Sequence, residues 1–191
     1  MRLYILPLAT LFLLAACQPK DPYKVQNPDP NHTHADFAIW VDGEQMDFTG
    51  NEYMSGVSYD DASHDEEHEY HHEHLHLHDN VGHVLHRHKP GLTLHEFIES
   101  LGVLQIFEQR HTWRMFINGN EEEFTLNYIF KDLDTVLLTT SAGSAEVLDQ
   151  LEKLTDDSCL YSKRCPWRGD PPAENCVADP AIPCVVPLED L

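Results

Sequence analysis

Of the 14 histidines in this chain, eleven fall between residues 64 and 95: His64, His68, His71, His72, His74, His76, His78, His83, His86, His88 and His95. Part of this run has a strict period of two. His74, His76 and His78 alternate with Leu75 and Leu77, and Leu85 precedes His86 and His88 in the same phase. Successive residues of a β-strand point to opposite faces, so a hairpin that buries the three leucines together turns these five histidines to the other face. The register that does so pairs His76 with His86 and His74 with His88, closing over residues 79–83. Alternate residues are then about 6.6 Å apart along a strand, and cross-strand Cβ atoms about 5 Å apart. Imidazoles reach far enough from such positions for several ring nitrogens to meet at the ~2.0–2.1 Å typical of zinc. Neutral imidazole suits Zn(II), Cu(II) and Ni(II), with Cu(II) generally bound tightest. The expected ligands are therefore His74, His76, His78, His86 and His88, with His71, His72, Asp79 and His83 as auxiliaries. His32 and His34, a His-x-His before the first expected strand, either make a second site or join this one. Glu69, Glu73 or Asp79 can complete a shell or orient a ring. The loop histidines His64, His68, His71 and His72 also read as a solvating tract.

These side chains need elements to hold them, and the surrounding sequence supplies them. Residues 35–41 alternate as a strand, Asp42-Gly43 is a hairpin turn, and residues 44–48 return, setting Ile39 beside Met46 and Phe37 beside Phe48. The histidine hairpin spans 72–88. Helix signals follow: Thr93 and Glu96 form a capping box, Leu92 and Phe97 a staple, Leu94, Phe97, Ile98 and Leu101 one apolar face, and Gly102 a stop. His95 is expected to face water. A third hairpin turns at Asn118-Gly119 with Trp113, Met115 and Ile117 inward, and residues 136–140 read as a buried strand. Ser144 is placed to cap a last helix with Val147, Leu148, Leu151 and Leu154 as its inner stripe. This order predicts an α+β metal-binding domain over 34–140, a sheet of hairpins packed on one main helix, with a further helix and tail over 141–191. Together with the ending Lys131-Asp132-Leu133-Asp134, it resembles the β-grasp fold of ubiquitin-like and sulfur-carrier domains over roughly residues 72–140. Sulfur carriers work through a C-terminal Gly-Gly, whereas this sequence ends Glu189-Asp190-Leu191, so the resemblance implies a fold and no activity.

The N-terminal residues carry an address. One basic residue, an apolar run from Leu3 to Leu14 and then Leu14-Ala15-Ala16-Cys17 make a signal peptide, too short in its apolar part to span a bilayer. The ending resembles the bacterial lipobox, which implies removal of residues 1–16 and a lipid on Cys17. Polar, proline-containing residues 17–33 then read as a lipidated linker. The formal charge of −21 argues against nucleic acid and favours cations as partners. Cys159, Cys165, Cys176 and Cys184 remain. An even number in an exported chain, without a Cys-x-x-Cys pair, predicts two disulfides stapling an irregular tail, their connectivity open. The histidine hairpin, the preceding HTHADFAIWVDG and the tail CLYSKRCPWRGDPPAENC together resemble an uncharacterised family of exported bacterial lipoproteins. That resemblance implies no established activity.

Three function classes follow. The first is a membrane-anchored envelope protein that captures, buffers or delivers Zn, Cu or Ni. The second is a zinc-dependent hydrolase with an open metal position and Glu73, Glu96 or His95 as base, which needs a dry pocket where the sequence predicts a polar histidine face. The third is an envelope interaction or pH-sensing module whose clustered imidazoles repel in acid. A phosphate loop of the Gly-x-x-x-x-Gly-Lys-Ser/Thr type is absent from the sequence.

Overall fold

The computed structural model describes residues 27, 32–54, 74–108 and 112–170. It is an α+β fold built on one mixed sheet. The strands are β1 (Thr33–Val41), β2 (Glu44–Gln45), β3 (Leu75–His76), β4 (Val84–Arg87), β5 (Arg114–Ile117), β6 (Asn120–Glu122) and β7 (Thr135–Thr139). The helices are α1 (Leu94–Ser100), α2 (Gln105–Glu108), α3 (Ser144–Glu152) and α4 (Ser158–Tyr161). The sheet order is β3-β4-β1-β7-β5-β6, with β2 also on β1, and only the central β1–β7 pair is parallel among these ladders.

Both expected Asx-Gly turns occur, with Asp42 and Gly43 at φ 53° and 86° and Asn118 and Gly119 at 52° and 77°, the left-handed pair a two-residue hairpin requires. Met46 N–H donates to Ile39 O at 2.9 Å and the Phe37 and Phe48 rings lie 5.6 Å apart, as the alternation predicts. The returning strand is shorter than expected. β2 cannot extend, because β4 occupies the same edge of β1 from Thr33 to Asp36, and Phe37 N–H already donates to His83 O.

β1 divides the interior in two. Ala35, Phe37 and Ile39 face α1, whose Leu94, Phe97 and Ile98 form the main core with Leu75, Leu77 and Leu85. The capping box holds that helix in place: Thr93 N–H donates to Glu96 Oε2 at 2.7 Å, and Glu96 N–H returns to Thr93 Oγ1. His95 is half-buried rather than turned fully to water. On the other face Ala38 and Trp40 lie under α3 with Phe116, Leu137 and Val147. The expectation of a single main helix on one face is therefore corrected, since helices cover both. α3 starts at Ser144 with Gly143 as its cap, so Ser144 makes no capping bond. Leu148 is 61% exposed, and Gln150 takes the inner position at 2%. The face below Val147 runs through positions 150, 151 and 154, three, four and seven residues on; Leu148, one residue on, is turned about 100° away.

The expected staple is present in part. Cys159 and Cys165 form a disulfide, while Cys17, Cys176 and Cys184 lie outside the described residues, so the second disulfide and the lipid site do too. Rather than being wholly irregular, the stapled segment contains α4, which packs on β1. Its anchor is Asp36, a fully buried carboxylate that accepts from Thr155 Oγ1 at 2.6 Å and from the N–H groups of Asp157 and Ser158 at 2.9 and 3.0 Å.

Candidate metal centre

The histidine hairpin has the register that the leucines predict. His76 is opposite His86, and His88 N–H donates to His74 O at 2.9 Å. The second pairing of β4, with β1, sets His34 opposite His86, so the His-x-His of residues 32–34 joins the same face. The face is not polar surface. His34, His76, His78, His86 and His88 are all buried, His86 completely, and α4 lies over part of the layer, with Tyr161 beside His34, His78 and His86. The Tyr161 ring stands edge-on to His86 with centroids 4.9 Å apart and lies 5.6 Å from His34.

Within this layer, one ring nitrogen each of His32, His34 and His86 lies within 4.8 Å of the others, a spacing that three ligands of one ion can adopt. The Nε2 atoms of His32 and His34 are 3.1 Å apart. Two nitrogens on a tetrahedral zinc at ~2.05 Å are separated by about 3.3 Å, so little movement admits an ion. His78 Nε2 is likewise 3.1 Å from His86 Nδ1. His88 stacks on His32 at 4.1 Å and on His76 at 4.9 Å, and His76 is 5.9 Å from His78. The residues expected only as auxiliaries, His32 and His34, are thus in the tightest group with His86. The hairpin residues His76, His78 and His88 surround it, and half-buried His74 lies beside His88 at the margin. His83 turns instead to Asp157, with its Nε2 3.1 Å from Oδ2. His71, His72, Glu69 and Glu73 lie outside the described residues.

Hydrogen bonds behind the ligands determine which nitrogen carries a lone pair. A carboxylate only accepts, so His78 Nδ1–H donates to Asp79 Oδ2 at 2.7 Å. In the tautomer in which His78 Nε2 accepts, His86 Nδ1–H donates to it across 3.1 Å. His86 Nε2 becomes the lone-pair nitrogen of that ring. A parallel chain serves His34. Ser162 Oγ donates to Asp132 Oδ1, accepts from His34 Nδ1–H at 2.7 Å, and so leaves Nε2 of His34 as the ligand atom. Arg164 Nη1 donates to Asp132 Oδ2 at 3.2 Å behind the chain. Burial, aided by the neighbouring His34, His78, His76 and His32, holds the pKa of His86 well below its usual value, which keeps it in the neutral form that binds a cation.

Sequence reasoning found the imidazoles but missed their cover and supports: Asp36, Asp132, Tyr161 and Ser162. These lie far apart in the chain, in segments whose local patterns read only as strand, turn and tail. The Cys159–Cys165 spacing was the one signal that the region after α3 is ordered. Comparison of the chain with protein-family models, with curated proteins and with solved structures finds no match in any of the three.

Proposed function

We propose that this protein is an extracytoplasmic, lipid-anchored bacterial protein that captures, buffers or delivers a transition-metal ion, Zn(II), Cu(II) or Ni(II), with His32, His34 and His86 as principal ligands. The observation that carries the reading is the convergence of those three rings inside a buried layer of imidazoles. Several neutral imidazoles gathered at this spacing away from water can ligate one cation together. Neutral donors backed by Asp79 and by Ser162–Asp132 favour borderline cations over Mg(II) or Ca(II), which take oxygen ligands. Tyr161 lies over the cluster, which supports holding an ion over turning over a substrate. The lipid anchor rests on Leu14-Ala15-Ala16-Cys17, and the central parallel pair β1–β7 flanked by antiparallel strands supports the β-grasp-like reading of the sheet.

The test is elemental analysis of untagged protein extracted from membranes, followed by competition titration with each metal. One ion per chain is expected, lost in acid, with an intact mass that carries a diacylglyceryl group on Cys17. The His32→Ala/His34→Ala/His86→Ala variant should lose more than about a thousandfold in affinity, since three-ligand sites fail when the ligands go. Unchanged affinity in that variant sinks the ligand assignment.

A further inference from the structure

The residues that cover the imidazoles sit inside a very small covalent loop. Cys159 and Cys165 bracket Tyr161, whose ring lies over His86 and His34, and Ser162, whose hydroxyl holds His34. The helix they carry, α4, has four residues, far below the length at which a helix is stable by itself. Its fixed position therefore depends on what ties it down: the Asp36 carboxylate at its start, Asp132 at its end, and the disulfide.

The disulfide is reachable. Cys159 is half-buried and Cys165 buried, and both line an open cleft of about 400 Å³ together with Asp36, Trp167, which is 44% exposed, and Arg168. Arg168 is clamped by Asp156 and Asp157, and its Nη1 also points to Cys159 Sγ at 3.4 Å. An N–H donor on that sulfur stabilises negative charge wherever a thiolate attacks it or leaves from it.

We propose that Cys159 is a thiol-exchange site for a dithiol reductant, and that opening the Cys159–Cys165 bond frees the α4 cover and releases the bound ion. In the first step a thiolate of the dithiol attacks Cys159 Sγ, a new S–S bond forms, and the Cys159–Cys165 bond breaks with Cys165 leaving as thiolate. In the second step the other thiol of the reductant attacks its own sulfur in the mixed disulfide, and Cys159 leaves as thiolate beside Arg168. The two protons of the dithiol pass to the cysteines, and its two electrons reduce the protein disulfide while it becomes a disulfide itself. With the staple open, Ser162 no longer holds His34 in its ligating orientation. The release step rests on the metal reading above; the exchange step does not.

The experiment uses the full chain loaded with Zn(II) and compares wild type with Cys159→Ser/Cys165→Ser, which removes the staple without adding a thiol that chelates zinc. Capture of zinc by a chromophoric chelator should be at least about tenfold faster in the variant, the range seen when an outer partner of a ligand is lost. Hydrogen exchange at the amides of Leu160 and Ser162, measured without metal, should also be faster. Reduction by dithiothreitol, followed by mass mapping of the Cys159–Cys165 peptide, should slow severalfold in Arg168→Gln. Equal zinc release and equal amide exchange in the unstapled variant overturn the cover, and equal reduction rates in Arg168→Gln overturn the exchange site. If the wild type takes up no zinc, the release assay is run with Cu(II) and Ni(II); uptake of none of the three sinks the metal reading, and amide exchange alone then decides whether the staple holds α4.

Discussion

Leu85 and His86 are neighbours in one strand, and neither exposes any surface, yet they belong to interiors of opposite kinds. Leu85 points into a core of leucine and phenylalanine packed against α1, where complementarity of shape is enough. His86 points into a layer of imidazoles where every ring nitrogen requires a partner, and the sheet therefore needs a cover made of specific polar groups rather than of any apolar helix. The same face shows the transition along β1. Trp40 and Ala38 lie under the amphipathic α3, Asp36 receives the start of α4, and His34 receives its end. Equal burial thus has two origins, one general and one specific, and the two should respond differently to perturbation.

The apolar face gives the largest effect on folding. Leu85→Ala leaves a cavity among Leu75, Leu77 and α1 that the main core cannot refill, and should cost about 2–5 kcal/mol in urea or thermal unfolding. The metal stoichiometry of the molecules that remain folded should not change, because Leu85 has no part in the imidazole layer. A variant that keeps its stability but loses its metal would show that the two faces are not separable.

The two faces were also unequally legible in the sequence. Period-two alternation of His and Leu set the hairpin register, and the capping box at Thr93 placed α1, because both are local patterns with a fixed geometric meaning. The burial of the histidines was not legible. It depends on Asp36 and Asp132, each of which bonds a residue more than 25 positions away, and on a four-residue helix with no apolar periodicity of its own. For the same reason His32 and His34 read as auxiliaries, since only the β1–β4 pairing brings them beside His86. The inner stripe of α3 holds at Val147, Leu151 and Leu154 but not at Leu148, and the polar Gln150, bonded to Ser141, fills the remaining inner place.

A smaller effect sharpens the specific side of the comparison. Ser162→Ala removes no apolar contact of consequence, but His34 Nδ1–H then loses its acceptor and the ring its orientation. Metal affinity should fall about 10–100-fold by competition titration, as when other outer partners of ligating histidines are removed. A loss of stability without that loss of affinity would make Ser162 a packing residue only.

The smallest effect is the one that only the imidazole face can produce. Burial and its histidine neighbours lower the pKa of His86 in the folded protein, whereas in the unfolded chain it titrates near its usual ~6.5. Between the two pKa values the unfolded chain binds the additional proton, so its stabilising contribution is complete above about pH 6.5 and declines as pH falls below it. The slope for one such group is about 1.4 kcal/mol per pH unit, and carboxylates contribute mainly below about pH 4.5, which leaves a window from pH 6.5 to 5 for the histidine. Urea midpoints of chelator-treated protein should therefore drop across that window. In His86→Leu the drop should shrink by one proton's share, while Leu85→Ala should lower the whole curve and keep its slope. An unchanged slope in His86→Leu would mean that its neutral burial is not what links this face to pH, and that the imidazole layer resists acid through its other members.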